Sequence, residues 1–437
     1  MRPSHRQLVP QLRLRPLLVS PLSTAYPRSR FDGDRVQRNS DRLQAVSRDF
    51  RTDTITVPTD EMLELMKGAS RGDDVYGEDE DTLEFQERIA KLAGKEAALF
   101  CASGTMTNQL AIRAHLHQPP YSVVTDSRAH VHLNEAGGIA FHSSATTYPV
   151  MPENGHYMAV EEVLGACVIG DDVHGAPTRL VCVENTLNGM IYPQAELNSI
   201  ASALSPLDIP LHCDGARLWE VLAKTGISLE EACRPFETVS LCMSKGLGAP
   251  VGSVLVGPKQ FIKKATHFRK LFGGGWRQSG PLALAASHAL STTLPQLSRT
   301  HTLATRLATA LVDEGITLEL PVETNQVWMD TRSAGFSIPE LAQRVWEEQH
   351  IRLNGGGWGR IVLHSQISQE AVEGLIEVVR GLARERGRER AEWERGVGEE
   401  GVEGSRENSR ALARGEWEGG WVGKGTKTQG YGKGGKR

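Results

Sequence analysis

The stretch that decides the fold runs PFETVSLCMSKGLGAPVGSVLVG over residues 235–257. Two continuous apolar runs, 238–244 and 252–257, flank Lys245 and the glycines that follow it. Such runs are typical of strands buried on both faces of a sheet. Burial favours the uncharged lysine amine, which is the form that makes Schiff bases. A lysine that extends its charged end from a strand terminus into solvent fits the same stretch.

Four more apolar runs alternate with longer helical stretches on the N-terminal side of this segment. They are AALF (97–100), YSVVTD (121–126), LVCVEN (180–185) and IPLHCD (209–214). The alternation predicts an α/β fold with a mainly parallel sheet covered by helices. Asp126, Glu184, Asp214 and Lys245 stand at or just after the carboxyl end of a run. Ligands bind at that edge of an α/β sheet, so a site is expected there.

The pattern changes after about residue 290, where helices dominate. In 369–386, apolar residues repeat at helical spacing. We therefore predict a large domain over 49–290 and a smaller α+β domain over 291–383. No internal repeat is visible.

The two ends differ from the middle of the chain. Residues 1–31 carry six arginines and no acidic residue, as in a mitochondrial transit peptide, but five prolines would interrupt the helix that such a peptide needs. We therefore treat 1–48 as a basic extension that is either a transit peptide or disordered. The segment 384–437 is rich in Gly, Glu, Arg and Lys and is predicted to be a disordered tail.

Composition narrows the classes of partner. The 49 basic and 53 acidic residues give a net charge of -4, so no overall field favours nucleic acid or an anionic membrane. Apolar runs are too short to span a bilayer. The six cysteines form no C-x-x-C pair, which indicates reduced thiols in an intracellular protein rather than disulfides or a metal site.

Two further strand ends supply candidate ligand-binding groups. Asp214 closes a strand and could pair with a protonated ring nitrogen of a cofactor, although a helix-capping aspartate has the same signature. Gly104 and Thr105 lie where a strand passes into a helix, so their backbone N–H groups suit a phosphate. An ordinary strand-to-helix turn is the alternative.

Two histidines and one arginine complete the candidates. His130, four residues after a strand, could lie on a cofactor ring, and His174, in a loop before the next strand, could reach the same edge. Either could equally be a polar loop histidine. Arg277 follows three glycines in KLFGGGWRQSG and offers a fork of donors to phosphate, unless that segment is a flexible surface loop.

Taken together, six strings resemble one family. RTDTITVPTDEM, GDDVYGEDEDT, GKEAALFCASGTMTNQ, HCDGARLW, SKGLGAPVGSVLVG and GGGWRQSG follow one another over about residues 50–290. They are similar to the threonine aldolases of low specificity, which are pyridoxal-phosphate enzymes of the aspartate aminotransferase-like fold (fold type I), near the β-eliminating lyases. The resemblance is looser from there to about residue 383.

The resemblance implies pyridoxal 5'-phosphate as cofactor and reversible cleavage of L-threonine or L-allo-threonine to glycine and acetaldehyde. It implies Lys245 as the Schiff-base lysine, Asp214 at the pyridine nitrogen and His130 stacked on the ring. The phosphate falls to Gly104, Thr105 and an Arg277 from a neighbouring subunit. The substrate carboxylate falls to Thr52, Arg217 and Arg360, and His174 matches a histidine near the substrate hydroxyl. A homotetramer, or at least a dimer, follows from the same resemblance.

Two departures and two rival functions accompany the resemblance. Thr52 replaces the usual serine, and Leu187 replaces a histidine in ENTLN, which bears on substrate range. Another pyridoxal-phosphate reaction, such as β-elimination or transamination, would use the same frame. A catalytically silent relative kept as a binding protein is the rival from another class. A cytoplasmic location is expected, with a mitochondrial one as the alternative.

Overall fold

The computed structural model describes residues 35–357 and 359–386. The candidate transit segment 1–31 and nearly all of the predicted tail, from residue 387, lie outside these residues. Within the predicted extension 1–48, residues Arg35–Val46 form a helix, α1. No helix of the described part is both long and apolar enough to cross a membrane.

A seven-stranded sheet forms the centre of the molecule. Its strands are β1 (Ala97–Cys101), β2 (Ser122–Asp126), β3 (Thr146–Val150), β4 (Thr178–Glu184), β5 (Leu211–Gly215), β6 (Thr238–Cys242) and β7 (Ser253–Gly257), in the order β1-β7-β6-β5-β4-β2-β3. Strand β7 runs in the direction opposite to the other six strands of this sheet. All six apolar runs are strands, as predicted. Strand β3 was not predicted, because this edge strand is half-buried to exposed and has no continuous apolar run.

Helices cover the sheet and connect its strands. They are α2 (Asp60–Met66), α3 (Glu80–Leu92), α4 (Gly104–His115), α5 (His130–Leu133), α6 (Gly138–Ser143), α7 (Val160–Ala166), α8 (Gln194–Leu204), α9 (Leu218–Thr225), α10 (Leu229–Cys233), α11 (Lys259–Leu271) and α12 (Gly280–Thr293). Side chains before the first turns start several of them: the Ser103 hydroxyl accepts from the Met106 N–H at 3.1 Å and so begins α4 directly after β1.

A smaller unit follows the large sheet. It contains α13 (Leu297–Asp313), β8 (Thr317–Leu318), β9 (Gln326–Asp330), α14 (Ile338–Gln349), β10 (Arg360–Val362) and α15 (Gln369–Glu385), with the three strands antiparallel in the order β10-β9-β8. Phe50 packs in its core, and Asp49 pairs with Arg352. The core of the large unit includes Leu297 and that of the small unit begins at Leu303, so one helix belongs to both.

Strand register fixes the positions of the acidic strand ends. In the parallel pairs, Glu184 stands opposite Asp214, and Asp214 stands opposite Ser240 on β6. Neighbouring strands are about 4.8 Å apart, so these side chains meet at one edge. The strands β2, β5, β6 and β7 are buried along their whole length, which holds that edge rigid.

Candidate active site

Asp214 lies buried at the carboxyl end of β5, with 2% of its surface exposed. Its Oδ2 accepts a hydrogen bond from Asn108 Nδ2 at 2.7 Å, and its Oδ1 accepts from the Ala216 N–H at 3.0 Å. Two N–H donors orient the carboxylate, so it can pair with a cationic group placed at this edge.

His130 is held by a second buried acid. Its Nδ1 lies 2.9 Å from Glu135 Oε1, and Glu135 also accepts from Asn108 and Gln109 at 2.9 and 2.6 Å. The hydrogen bond to Glu135 raises the pKa of His130, against the opposing effect of burial. Since Nδ1 is engaged, Nε2 is the nitrogen left for another partner. Polar atoms of His130, Glu135 and Asp214 all lie within 4.8 Å of one another.

Glu184 stands beside Asp214 at the end of β4. Its Oε2 accepts from the backbone N–H of His130 at 2.7 Å. Burial and the neighbouring negative charge of Asp214 raise the pKa of Glu184 to about 7. It is therefore a carboxyl group that can exchange a proton near neutral pH.

Lys245 lies half-buried in the turn after β6. Its carbonyl oxygen accepts from Thr56 Oγ1 at 3.1 Å and from the Gly248 N–H at 2.9 Å. Gly248 has φ +80°, a conformation that glycine adopts without strain. The lysine charge acts on the carboxyl groups of Asp53 and Glu184 and favours their ionised forms. The lysine therefore shares the edge that carries Asp214.

Arg217 and Asp53 form a buried two-bond ion pair. Arg217 Nε and Nη2 each lie 2.7 Å from a different oxygen of Asp53. Burial alone would raise the pKa of Asp53, but the guanidinium group lowers it to about 2. Burial likewise works against the Arg217 charge, and Asp53 raises the pKa of Arg217 above its usual value. The arginine stays charged and fixed in direction.

Arg360 brings a second guanidinium group toward Arg217. It lies at the start of β10, half-buried, with Nη2 3.5 Å from the carbonyl oxygen of Arg51. Burial and the positive charge of Arg217 both lower the pKa of Arg360. Two half-buried guanidinium groups that repel each other form a favourable site for an anion, because the anion offsets their charges. Thr52 begins the short turn that carries Asp53 and is itself half-buried.

The N-terminus of α4 faces the same edge. The N–H groups of Gly104 and Thr105 belong to the first turn, where a helix has no internal acceptors for them. A Cβ on Gly104 would lie 2.7 Å from Cys242 Sγ on β6, so only glycine fits there. This terminus can hold an anion through its N–H groups and the helix dipole.

His174 does not lie at this edge within its own chain. It sits in the loop before β4, exposed, with Nδ1 2.9 Å from Asp172. The loop 168–177 bonds to the first residues of β2 and β4, at the amino edge of the sheet. Seven residues of β4 separate the two edges by about 20 Å, since each residue of a strand adds roughly 3.3 Å. The expectation that His174 reaches the site is thus not met by its own chain.

Arg277 also stands apart from the other candidates. Its side chain is 59% exposed and lies 3.3 Å from Asp73 Oδ2. The neighbouring acid Asp74 forms an ion pair with the buried Arg269. The backbone N–H of Asp74 donates to the carbonyl oxygen of Arg277. The GDDVYGED segment thus anchors the glycine-rich loop and leaves the Arg277 guanidinium facing outward.

A match to the model of the beta-eliminating lyase family covers residues 49–334. The probable low-specificity L-threonine aldolase of Schizosaccharomyces pombe is 47% identical over 332 residues, which are 76% of this chain and 86% of the relative. The chain belongs to the beta-eliminating lyase family, and within it to the threonine aldolases. This confirms the resemblance drawn from the six strings.

Solved structures confirm the fold of this family member. The threonine aldolase of Leishmania major aligns with a TM-score of 0.65 at 21% identity, covering 77% of this chain and 99% of the other. The aspartate aminotransferase of Thermus thermophilus aligns with a TM-score of 0.56 at 15% identity, covering 79% and 96%. The predicted aspartate aminotransferase-like fold, fold type I, is correct.

Sequence reasoning missed two residues that hold the site of this family member together. Asn108 bridges Asp214 and Glu135, and Asp53 orients Arg217. A signal for Asn108 exists: Thr107, Asn108 and Gln109 are three successive polar residues on a helix with apolar flanks, and all are buried. Polar residues at buried positions require partners, which points to a network.

Leu187 replaces the usual family histidine and is buried, with 6% exposed. With Glu184, Met190 and Tyr157 it lines a small cavity beside the acidic strand ends. The replacement places an apolar side chain in a cavity that His156, Asp126 and Glu184 also line.

Proposed function

We propose that this chain cleaves the Cα–Cβ bond of L-threonine and L-allo-threonine to glycine and acetaldehyde, with pyridoxal 5'-phosphate bound at Lys245. The observation that carries the proposal is the meeting of an amine, a buried carboxylate and a histidine at one sheet edge. Lys245, Asp214 and His130 supply these groups. The family relationship supports the same reaction.

The site fits this cofactor. Lys245 provides the amine, the buried Asp214 carboxylate suits the pyridine nitrogen, and the N–H groups of Gly104 and Thr105 suit the phosphate. Bound there, pyridoxal phosphate supplies an electron sink for the pair released from the broken bond. His130 would cover the ring while Glu135 fixes the orientation of its imidazole.

Replacing Gly104 with alanine should weaken cofactor binding. The added methyl group would lie 2.7 Å from Cys242 Sγ, so either α4 or β6 must shift and the phosphate cradle opens. We expect about a tenfold rise in the dissociation constant, equal to about 1.4 kcal/mol. Titrating apoprotein with pyridoxal phosphate and following absorbance measures this. Gly165→Ala, where a methyl group meets nothing within 4 Å, is the control.

The substrate carboxylate falls to the two guanidinium groups. The guanidinium group of Arg217 is bound to Asp53, and that of Arg360 lies close enough for the two positive charges to repel each other. An anion between the two arginines relieves this repulsion. Thr52 adds a hydroxyl group from the adjoining turn. Holding the carboxylate fixes which bond of the substrate lies perpendicular to the cofactor ring and therefore which bond breaks.

Asp53→Asn should raise KM about tenfold while lowering kcat less than threefold, because the amide keeps the shape but loses the charge that fixes Arg217. Steady-state kinetics with threonine measure both constants. Asp330→Asn serves as control, since Asp330 pairs with the exposed Arg332 in the small unit. An unchanged KM in Asp53→Asn would show that the ion pair does not orient the carboxylate-binding group.

The β-hydroxyl proton needs an acceptor within this site. The free Nε2 of His130 is the candidate on its own chain, directly or through a water, because Nδ1 is occupied by Glu135. His174 can serve only if a neighbouring subunit brings it, given its place at the opposite edge. The same holds for Arg277 and the cofactor phosphate.

A homo-oligomer, at least a dimer and in our proposal a tetramer, would supply these groups. Large apolar side chains are exposed on the single chain: Tyr76, Phe141, Leu271 and Val173 expose 77%, 83%, 73% and 91% of their surface. Val173 adjoins His174, and Leu271 adjoins the glycine-rich loop that carries Arg277. Covering such side chains with a second copy is favourable. The cytoplasmic or mitochondrial location stays a prediction. The domain boundaries at residues 290 and 383 also stay predictions.

One set of assays tests the proposal. Purified protein should be yellow, and borohydride should label the peptide that carries Lys245. Threonine and allo-threonine should yield glycine and acetaldehyde, whereas pyruvate or ammonia from serine or tyrosine would indicate β-elimination or transamination. A colourless protein without label or product would indicate a silent relative.

A further inference from the structure

We propose that Glu220 and His301 form a buried positioning pair that holds the backbone of Lys245, an inference that rests on the role proposed for Lys245 above. Glu220 is 1% exposed and His301 is 5% exposed. His301 Nε2 lies 2.7 Å from Glu220 Oε2. Glu220 is joined to Arg217 through the backbone, where its N–H donates to the Arg217 carbonyl oxygen at 3.0 Å.

The free oxygen of Glu220 lies against the residue that follows the lysine. A Cβ on Gly246 would be only 2.5 Å from Glu220 Oε1. The absence of a side chain at Gly246 therefore lets the carboxylate pack directly on the backbone. Any movement of Glu220 is passed to the peptide that carries Lys245.

Helix α9 contacts the turn that carries Lys245 at one residue before the lysine and at one residue after it. Trp219 Nε1 donates to the carbonyl oxygen of Cys242, three residues before Lys245, at 2.9 Å. Glu220 meets Gly246, one residue after it. Arg217, the proposed carboxylate-binding group, is the N-cap residue directly before this helix. Its position thus sets the lysine and the carboxylate site together.

His301 fixes α9 to the helix that belongs to both cores. It lies on α13 between Leu297 of the large core and Leu303 of the small core. The small unit also reaches the turn directly, because Ser365 Oγ donates to the Gly246 carbonyl oxygen at 3.2 Å. Two contacts therefore transmit the position of the small unit to Lys245.

The charges around Glu220 make the pair sensitive to the loss of one member. Burial raises the pKa of Glu220, and His301 opposes this through its hydrogen bond; Asp53 and Arg217 are the other charged groups that act on it. Removing the imidazole leaves a buried carboxyl group without its partner, which must then reorient or take up water. Either response disturbs its contact with Gly246.

The first test is His301→Leu in the full-length protein loaded with cofactor. We expect kcat to fall about tenfold with KM within about twofold, because lysine position changes while the carboxylate contacts remain. The pH midpoint of the cofactor absorbance should also move by at least about 0.3 units. Glu220→Gln keeps the shape and a hydrogen bond to His301, so it should stay within about threefold of wild type.

Leu303→Ala is the matched control on the same helix. It opens a cavity in the small core and should lower the melting temperature without moving the absorbance midpoint. The same midpoint shift in Leu303→Ala, or a wild-type kcat and midpoint in folded His301→Leu, would overturn the proposal. Wild-type protein that lacks the borohydride label on Lys245 would instead refute the proposed function.

A second variant keeps the test decisive if His301→Leu does not fold. Gly246→Ala pushes a methyl group onto Glu220 Oε1 and should show the same loss of kcat and midpoint shift. Adding Glu220→Ala removes the clash together with the contact, so the double variant should lose less kcat than the sum of the two single effects predicts. Strict additivity of the two changes would mean that Glu220 does not position this turn.

Discussion

Lys245→Ala should abolish threonine cleavage, with a fall in kcat of at least roughly 10⁴-fold, because it removes the amine that we propose binds the cofactor covalently. The half-buried lysine in the turn after β6 has the carboxylates Asp53 and Glu184 as electrostatic neighbours. The variant should also lose the yellow colour that survives dialysis. Glycine release and the visible spectrum measure the two effects.

Lys263→Ala is the matched control for this prediction. Lys263 is exposed on α11, away from the carboxyl edge of the sheet. Its removal should leave kcat and colour as in wild type. A yellow, active Lys245→Ala protein would refute the assignment of the covalent lysine.

Asp214→Asn should lower kcat by roughly 100- to 1,000-fold, since an amide cannot stabilise a protonated ring nitrogen as a buried carboxylate does. The change preserves shape, and a flipped amide can still bond to Asn108. Loss of packing is therefore not the expected cause. Kinetics with threonine, together with the cofactor absorbance maximum, give the measurement.

Asp126→Asn separates this effect from the general loss of an acid at the same edge. Asp126 ends β2 but is tied to Arg128 by bonds of 2.9 and 2.7 Å. We expect reduced stability and a near-normal rate. If both aspartate variants lose the same fraction of kcat, Asp214 has no special relation to the ring.

The parallel strands and their acidic ends followed from the sequence because six of the seven strands are short apolar runs that are wholly or partly buried. Glu184, Asp214 and Lys245 could be placed at one edge by the simple rule that parallel strands end together. β3 escaped because the edge of a sheet is exposed on one side and needs no apolar run. The antiparallel insertion of β7 between β1 and β6 has no local sequence signature either.

The hydrogen bonds and ion pairs that hold the site residues could not be predicted from the sequence. The bond of Asn108 to Asp214 joins residues 106 positions apart, and that of Arg217 to Asp53 joins residues 164 apart. Such pairs depend on how helices pack, not on local pattern. For His174 the strand direction was informative: its loop precedes a strand, which places it at the amino edge of the sheet within its own chain.

Two segments, helix α13 and residues 50–53, belong to both units. This sharing limits how the two units can move relative to each other. Phe50 is buried in the core of the small unit, whereas Asp53, three residues later, forms an ion pair with Arg217 in the large unit. The substrate binding that we propose between Arg217 and Arg360 would therefore act on a short connection between the two units and would not move a hinged lid. We expect a closure of small amplitude that tightens both arginines on the carboxylate in one step.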